Sequence, residues 1–344
     1  MAVTLQDVAA RAGVSKSAVS RTFTAGASVS AGTRAKVETA AKALGYHPNV
    51  LASSLTTGRT KLVGLVSNNF SNPYFLEIFD RFTQGLQEAG LRPLLVNLAH
   101  EGDAERSLDM LRHYSVDGVI VASSTLPPDF TEQFRQAGLP VVHAFGWSRN
   151  APDTDLVSID NVAAGRLAAE TLLARGHARI GFLGGPEEAS TTQDRLTGFR
   201  DRAGAAFAGA RCAAGYAFAA GRETMQALLR DGSAAEAWFC GDDVIAIGAL
   251  SAIRDAGLEV PRDIGILGLN DMEMAGWENI ALTTIRQPIA EIVAETIALI
   301  EASIEDGPRP PATRMLPCTL VERTTLRARA DGPSPDDRRP FGTE

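Results

Sequence analysis

The chain has 344 residues, of which 45% are hydrophobic, and a formal net charge of −8 at pH 7. This length and hydrophobic content are typical of a soluble globular protein with a sizeable core and two or three domains. The acidic balance argues against nucleic acid for the whole chain, but residues 1–61 carry a net charge of +6 and the remainder carries −14. A basic head therefore precedes an acidic body, and the head is the expected partner of a polyanion.

Targeting and cysteine patterns add two exclusions. The start "MAVTLQDVAARAG" lacks the basic, apolar and cleavage regions of a signal peptide, and no apolar run reaches the roughly 18–20 residues that span a bilayer. We therefore expect a cytoplasmic protein with no membrane partner. Cys212, Cys240 and Cys318 show neither CxxC spacing nor a neighbouring histidine cluster, so we expect no disulfide, metal or cofactor, and these cysteines should be small buried side chains.

Three short helices are predicted in the head, which we place at residues 1–48. The residues that cap or end them are, in chain order, Thr4, Gly13, Ser15, Ser30 and Gly45. The second helix holds "KSAVSRTF", residues 16–23. A tight glycine turn between the first two helices is typical of a helix-turn-helix DNA-binding domain. Residues 49–60, "NVLASSLTTGRT", are too short and polar for a domain and are predicted to be a linker with one marginal helix.

From residue 61 onward, apolar runs alternate with stretches of helical length. The runs are "LVGLV", "PLLVN", "GVIVA", "PVVHAF", "RIGFLGG", "AWFC" and "IGILGL". This alternation predicts α/β lobes with parallel sheets covered on both faces. Two successive series indicate two lobes, with a ligand site in the cleft at the carboxyl ends of their strands.

The expected body covers residues 61–330. The first lobe takes about 61–159 and 289–317, the second about 160–288 and 318–330, and the proline-rich, charged tail at 331–344 is expected to be disordered.

These motifs together carry a family resemblance. "VTLQDVAARAGVSKSAVSRTF", "LASSLTTGRT", "GLVSNNFSNPYF", "SIDNVAAGRLAAETLLARGHARIGFLGG" and "LTTIRQP" follow one another in an unbroken order over about residues 2–326. Each motif alone is weak, but their succession resembles the lactose-repressor/galactose-repressor (LacI/GalR) family of bacterial transcription regulators. The resemblance implies a DNA-binding head fused to a body that is similar to the periplasmic sugar-binding fold.

The resemblance makes the helix at 16–23 a recognition helix. Lys16, Ser17 and Arg21 match the family's base-reading positions, and lysine and arginine suit the guanine O6 and N7 acceptors. The alternative is a solvated basic face. The residues at helix starts are either phosphate contacts, caps, or both; they are Thr4, Ser15, Ser30 and Thr33.

The linker carries a second expected DNA contact by the same resemblance. Hinge helices of the family fold when two subunits meet over the operator centre. A leucine that matches Leu55 wedges into a minor-groove step, and small residues such as Ala52 allow close approach. The alternative is that Leu55 packs within a flexible linker.

The resemblance also nominates polar residues for the effector cleft. Arg195 matches a family arginine that holds effector oxygens. The family commonly has Asn-Asp before its "AIGA"-like helix and an aromatic-Asp-Asp after its "GILG" strand, whereas this chain has an acid at Asp242 and an amide at Asn270. Acid and amide have therefore traded places, which puts the usual ligand contacts in doubt but keeps both positions polar.

Aromatic side chains are the remaining cleft candidates, because flat rings stack on sugar C–H surfaces. They are Phe70, Tyr74, Phe75, Trp147, Tyr216 and Trp277, each as compatible with the core as with a ligand platform. Asp160 and Asn161 in "SIDN" either contact the ligand, cap the following helix, or both. His177 is interpreted as a structural turn residue.

The sequence therefore predicts a homodimeric repressor of a carbohydrate or polyol operon, released from a near-palindromic operator by a sugar or polyol inducer. The absence of a heptad-rich helix after Leu326 favours a dimer over a tetramer. The alternatives are a regulator that needs a purine-like co-repressor stacked on Tyr74 and Phe75, and a sugar-binding protein with no regulatory role. The sequence has no GxSxG, P-loop or HExxH motif, so we expect no catalytic residues and no enzyme.

Overall fold

The structure is a computed structural model. It describes residues 3–24, 26–47, 58–98, 103–123, 125–126, 128–146, 154–232, 235–307 and 309–329. The chain divides into two compact units, residues 1–61 with 115–117, and residues 62–114 with 118–344. The proposed hinge contacts and the tail at 331–344 lie outside the described residues.

In its described residues, the first unit is a bundle of three short helices, α1 (Leu5–Ala12), α2 (Lys16–Phe23) and α3 (Ala31–Leu44). Its core consists of small and β-branched side chains that are at most 5% exposed, namely Val8, Ala9, Val19, Val37, Ala40 and Ala41. Gly13 has a φ of +66° and ends α1 in the left-handed region, which a side chain rarely adopts. This turn lets α2 start three residues after Gly13, as the helix-turn-helix pattern requires.

The described part of the second unit forms two sheets of six strands each. The order in the first sheet is β11 (Thr313–Leu316), β5 (Asp155–Ile159), β4 (Val141–Ala144), β3 (Gly118–Ala122), β1 (Leu62–Ser67) and β2 (Arg92–Asn97). All neighbouring pairs are parallel. The helices of this lobe are α4 (Pro73–Glu88), α5 (Asp103–His113), α6 (Pro128–Gln136) and α11 (Ile289–Asp306).

The second sheet repeats this architecture with one difference. Its order is β12 (Thr319–Val321), β10 (Thr284–Arg286), β9 (Gly265–Asn270), β8 (Ala237–Cys240), β6 (Ile180–Gly184) and β7 (Phe207–Cys212). Its helices are α7 (Asn161–Leu173), α8 (Ser190–Ala203), α9 (Phe218–Arg230) and α10 (Asp243–Asp255). The expectation of parallel strands is wrong at one edge of this sheet, because β12 runs antiparallel to β10.

The chain passes between the two sheets three times, after β5, after β10 and between β11 and β12. The cysteines are only partly as expected. Cys240 is fully buried, whereas Cys212 and Cys318 are half-buried near the carboxyl ends of strands. Burial raises the pKa of the Cys318 thiol to about 11, so this thiol stays protonated at neutral pH.

Helices α7 and α8 cross at a distance that only glycine permits. A Cβ on Gly165 would lie 2.1 Å from the carbonyl oxygen of Arg195, and one on Gly198 would lie 1.9 Å from that of Val162. Both obstacles are backbone atoms, so no rotamer change can relieve them. The two glycines therefore set the spacing of the helices that carry Asn161 and Arg195.

Gly165→Ala is expected to lower the free energy of unfolding by about 2–3 kcal/mol, the upper part of the usual cost of overpacking. Urea unfolding followed by circular dichroism measures this loss. Gly215→Ala is the matched control, because a Cβ there meets nothing within 4 Å, and we expect a change of at most about 0.5 kcal/mol. Equal effects of the two substitutions would contradict a close α7–α8 crossing.

Candidate DNA-binding face and effector cleft

Helix α2 has one buried and one exposed side. Val19 and Thr22 face the core, whereas Lys16, Ser17 and Arg21 are exposed. Arg21 Nε donates a hydrogen bond to the Ser17 carbonyl at 3.3 Å. The three residues predicted to read bases therefore lie together on the free side of one helix, with both of its basic side chains.

The caps predicted at Thr4, Ser15 and Ser30 are formed, whereas Thr33 lies in the first turn of α3 and is not its N-cap. Thr4 and Asp7 make a reciprocal capping box, in which the Thr4 backbone N–H donates to Asp7 Oδ2 at 2.8 Å. Hydrogen bonds from the Thr4 backbone and hydroxyl lower the pKa of Asp7. Ser15 Oγ accepts from Ala18 N at 3.2 Å. These contacts account for the helix starts locally, and phosphate binding at the same positions stays a prediction.

The third helix is capped in the same way and is tied to the second. Ser30 Oγ accepts from Thr33 N at 3.2 Å and donates to Thr33 Oγ1 at 2.9 Å. Arg34 Nη1 donates to the Thr22 carbonyl at 2.9 Å. This bond joins α3 to the end of α2 and holds the exposed face of α2 in place.

The second unit contains a small cleft between the carboxyl ends of its two sheets, about 350 Å³ including its open mouth. Its lining residues are Asn69, Tyr74, Phe75, Phe145, Thr191, Arg195, Tyr216, Asp242, Asn270 and Gln287. The first lobe supplies mostly rings and the second supplies most of the polar groups. A cleft with rings on one side and polar groups on the other suits a ligand with an apolar face and polar edges.

Arg195 is a buried cation, 5% exposed, on helix α8. Its Nε donates to Asn161 Oδ1 at 2.8 Å, and its Nη1 donates to the Gly241 carbonyl at 2.5 Å. These bonds fix the plane of the guanidinium at the cleft. Asn161 is thus a positioning residue for Arg195.

Asp242 and Asn270 meet directly in the cleft. Asn270 Nδ2 donates to Asp242 Oδ2 at 3.0 Å, and Gln287 Nε2 donates to Asn270 Oδ1 at 2.6 Å. Burial raises the pKa of Asp242, against the lowering effects of its hydrogen bonds and of Arg195. Asp242, at the start of α10, and Asn270, at the end of β9, therefore form a hydrogen-bonded pair of acid and amide.

A second buried acid, Asp243, was not among the predicted site residues. Its Oδ1 accepts from Thr284 Oγ1 at 2.6 Å, and its Oδ2 accepts from Met272 N at 3.0 Å. Burial raises the pKa of Asp243 to about 7. A Cβ on Gly268 would lie 2.1 Å from Asp243 Oδ1, so that glycine makes room for the carboxyl. The doubled acid after strand β8 was the available sequence signal.

Two tyrosines in the cleft differ in how their hydroxyls are satisfied. Tyr216 is held by Thr191 Oγ1 at 3.1 Å and Thr192 Oγ1 at 3.2 Å. The Tyr74 hydroxyl is buried without a hydrogen-bond partner among the described residues. Burial, followed by the charge of Asp242, raises the pKa of Tyr74. Tyr74 therefore keeps its proton and offers a free donor to a ligand.

Several predicted residues lie elsewhere. Phe70 is 38% exposed and packs on Phe79, and Trp277 is 48% exposed beyond the cleft lining. Asp160 caps α7 by accepting from Ala163 N at 2.8 Å, and it does not line the cleft. Trp147, and likewise Ala52 and Leu55, lie outside the described residues.

Sequence reasoning missed the cleft residues Asn69, Phe145, Thr191 and Gln287. Phe145, directly after β4, has a φ of +65°. This left-handed backbone conformation is rare for a bulky residue and ends the extended strand. Its ring packs edge-on against Tyr74 at 6.4 Å. The "HAF" that closes the β4 run carried no separate signal for this role.

His177 is buried in the second lobe, away from the cleft. Neither ring nitrogen has a hydrogen-bond partner among the described residues, and Nδ1 is 3.7 Å from Glu236 Oε2, beyond hydrogen-bond reach. Burial, followed by the charge of Arg327, lowers the pKa of His177. The neutral ring is the form that the fold retains, which agrees with a structural role.

We expect this histidine to make the protein sensitive to acid. The pKa of His177 is lower in the folded chain than its ordinary value of about 6.5. Its contribution to the free energy of unfolding is therefore complete above about pH 6.5 and is lost as the pH falls through the pKa of the folded chain. The His177→Leu variant should lose less of its urea midpoint between about pH 7.5 and about pH 5.5 than the parent does.

The variant is compared with the parent because Asp243 titrates in the same pH range and has the opposite effect. The contribution of Asp243 to the free energy of unfolding falls as the pH rises through about 7. His113→Leu, at an exposed position of α5, is the control for the loss of a histidine at the surface. A profile identical in His177→Leu and parent would show that His177 does not titrate on unfolding.

Among the described residues, no group of three or more histidine, cysteine, aspartate or glutamate side chains is placed to hold a metal ion. None of the helices in that part of the chain is long and apolar enough to cross a membrane.

A basic helix-turn-helix unit, joined in one chain to a two-lobed unit with a polar cleft, defines a DNA-binding transcription regulator that responds to a small molecule. Residues 4–49 match the family model for bacterial regulatory proteins of the lacI family, and residues 169–326 match the model for a periplasmic binding protein-like domain.

Individual relatives extend the match over nearly the whole chain. The chain is 32% identical to the HTH-type transcriptional repressor CytR of Escherichia coli K12 over 334 residues, 95% of this chain and 97% of CytR. It is 34% identical to the ribose operon repressor of the same strain over 84% of this chain and 89% of that protein. The chain therefore belongs to the lacI family of bacterial regulatory proteins.

A solved structure agrees with this assignment. The Lac repressor dimer bound to operator and the anti-inducer ONPF has a TM-score of 0.85 and 26% identity, covering 95% of this chain and 100% of that one. The helix-turn-helix head and the two-lobed α/β body predicted from the sequence are thereby confirmed.

Proposed function

We propose that the chain is a transcriptional repressor that binds a near-palindromic operator as a homodimer and releases it when a sugar or polyol occupies the cleft. It acts in the cytoplasm, where the operator DNA lies, and the proposal assigns it no catalytic step. The observation that carries the effector assignment is the cleft itself, in which Arg195, Asp242 and Asn270 face a wall of rings.

The head supports sequence-specific DNA binding. Lys16 and Arg21 extend from one exposed helix face, and guanidinium or ammonium groups there match the O6 and N7 acceptors of guanine. In the linker, Leu55 is proposed to wedge into a minor-groove step while Ala52 allows close approach. The first of these contacts reads bases, and the second favours a deformable operator centre.

The cleft supports a hydroxylated effector more than a flat base. The Tyr74 and Phe75 rings stand at 86° to each other and are 3% and 7% exposed, so they offer no pair of parallel faces to a purine. Guanidinium, carboxylate and amide groups on the other wall pair well with hydroxyls. Among the relatives, the ribose operon repressor is named for a sugar operon.

The first lobe also exposes apolar side chains that suit a second copy. Leu76 on α4 is 74% exposed, and Leu95 on the edge strand β2 is 49% exposed. Dimer interfaces bury apolar side chains of this kind, and a two-fold axis matches a palindromic operator. These two leucines support the homodimer.

The deciding experiment captures sheared genomic DNA from the source organism on the purified protein and sequences what is retained, at moderate and at high salt. A few sharp peaks that share a palindrome are expected. Diffuse retention that disappears with salt, in the presence and absence of the compounds below, would contradict sequence-specific repression.

A panel of sugars, polyols and purines then tests the effector class. Each compound is titrated against the protein bound to the captured operator, with fluorescence anisotropy as the readout. Release by a sugar or polyol is expected. Tightening by a purine would instead establish the co-repressor alternative.

A further inference from the structure

Two helix caps meet across the cleft. Asn72, which is 1% exposed, caps α4 in the first lobe, and its Oδ1 accepts from Tyr74 N at 3.0 Å. Asp242 caps α10 in the second lobe, and its Oδ1 accepts from Val244 N at 2.8 Å. Asn72 Nδ2 donates to Asp242 Oδ2 at 3.0 Å. A single amide side chain therefore holds the start of one helix and reaches the other lobe.

A second contact between the lobes begins on the same helix. Glu77, in the first turns of α4, accepts from the backbone N–H of Glu273 at 2.8 Å. Glu273 follows strand β9 of the second sheet. The start of α4 is thus a strip of the first lobe that contacts the second, and Asn72 is its buried end.

Separation of the lobes would break one particular bond of Asp242. The carboxylate accepts three hydrogen bonds among the described residues, from Asn72, Val244 and Asn270. The latter two donors belong to the second lobe and would move with Asp242. Of the three hydrogen bonds to Asp242, only the one from Asn72 would be lost. A hydrogen bond to a buried carboxylate is stronger than its equivalent in water.

We propose that Asn72 is a positioning residue that sets how far the cleft closes, through its bond to Asp242. It does not line the cleft, but both of its bonded neighbours, Tyr74 and Asp242, do. An effector that touches either neighbour acts on the Asn72 bond and so on closure. This inference rests on the proposed function only in taking closure to be what the effector changes.

Two substitutions at position 72 distinguish the hydrogen bond to Asp242 from the capping of α4. Serine and aspartate both cap helices well, but serine at position 72 is too short to reach Asp242, and aspartate there replaces a donor with a second carboxylate. Asn72→Ser should lower the ratio of closed to open lobes about tenfold, the usual value of a charge-assisted hydrogen bond. Asn72→Asp should lower that ratio further, because like charges repel.

Pulsed electron paramagnetic resonance measures the distance between two spin labels, one on each lobe of the full chain. Labels replace the exposed Gln87 and Glu223 in a background in which Cys212 and Cys318 are serine, diluted with unlabelled protein. We expect a longer and broader distance distribution in both variants. Asp80→Asn, which removes a charge from an exposed position of the same helix α4, is the control and should match the parent.

The pH dependence of the distance between the labels gives a second test, because a residue that only caps α4 would not make this distance depend on pH. In Asn72→Asp, a proton shared by the two carboxyls should restore the closed distance as the pH falls from about 8 to about 5. Arg195, Asp243 and Tyr74 also face Asp242, so the parent is measured over the same range. Parent-like distances in Asn72→Asp at about pH 8 would overturn the inference. No DNA or effector is present, so failure of the proposed function leaves this result intact.

Discussion

Arg21→Ala is expected to weaken binding to the captured operator about ten- to a hundredfold, the usual discrimination carried by one bidentate base contact. Arg21 is exposed on α2, and its stem is steadied by the bond from Nε to the Ser17 carbonyl. Binding to scrambled DNA should fall much less, because it depends on total charge rather than on groove contacts. Anisotropy titrations on both DNAs over a salt series measure the ratio.

Lys42→Ala is the matched control for charge. Lys42 is exposed in the last turn of α3, so its removal also costs the head one positive charge. We expect it to change the salt slope slightly and to leave the operator preference unchanged. If Arg21→Ala and Lys42→Ala had the same effect on both DNAs, Arg21 would contribute charge alone.

Arg195→Ala is expected to leave operator binding intact and to raise the effector concentration needed for release at least about thirtyfold, as for other losses of a buried charged contact. The substitution removes the donors to Asn161 Oδ1 and the Gly241 carbonyl, and it takes away the cation that faces Asp242. Arg195→Lys keeps the charge, but lysine lacks the planar fork that reaches both acceptors. We expect an intermediate response from it.

Operator release by the compound that the panel identifies is the readout for these variants. Arg202→Ala serves as the control on the same helix α8, where Arg202 forms an ion pair with Glu170 and both side chains are about half exposed. Exposed pairs of this kind contribute at most about 1 kcal/mol. A normal effector response in Arg195→Ala would remove Arg195 from the effector site.

Local features of the site were predictable from the sequence. The caps at Thr4, Ser15 and Ser30 act on backbone groups within three residues, so a short segment is enough to recognise them. The buried strand runs and their alternation with helices also predicted the α/β body. Asp242 and Asn270 were nominated by comparison with family motifs, and the structure brings them into direct contact.

For other residues the sequence left the role open between ligand contact, cap and core. Asp160 and Asn161 are adjacent in the sequence, yet Asp160 caps α7 in solvent while Asn161 orients Arg195. Asp160 is the N-cap with extended backbone and is exposed, whereas Asn161 is the first residue of the helix and is buried. The position relative to the helix start therefore decides the role of each side chain. Trp277 and Phe70 had the right chemistry but lie outside the cleft lining.

The sequence by itself determined the parts of this protein whose physics is local or whose motifs are shared, namely the three capped helices, the buried strands, the basic head and the family. Only the tertiary structure decided which polar side chains converge in the cleft. Asn72 and Asp242 are 170 positions apart, and their contact depends on how two separately formed sheets face each other. Such a contact is set by the packing of whole lobes, which short sequence patterns do not encode.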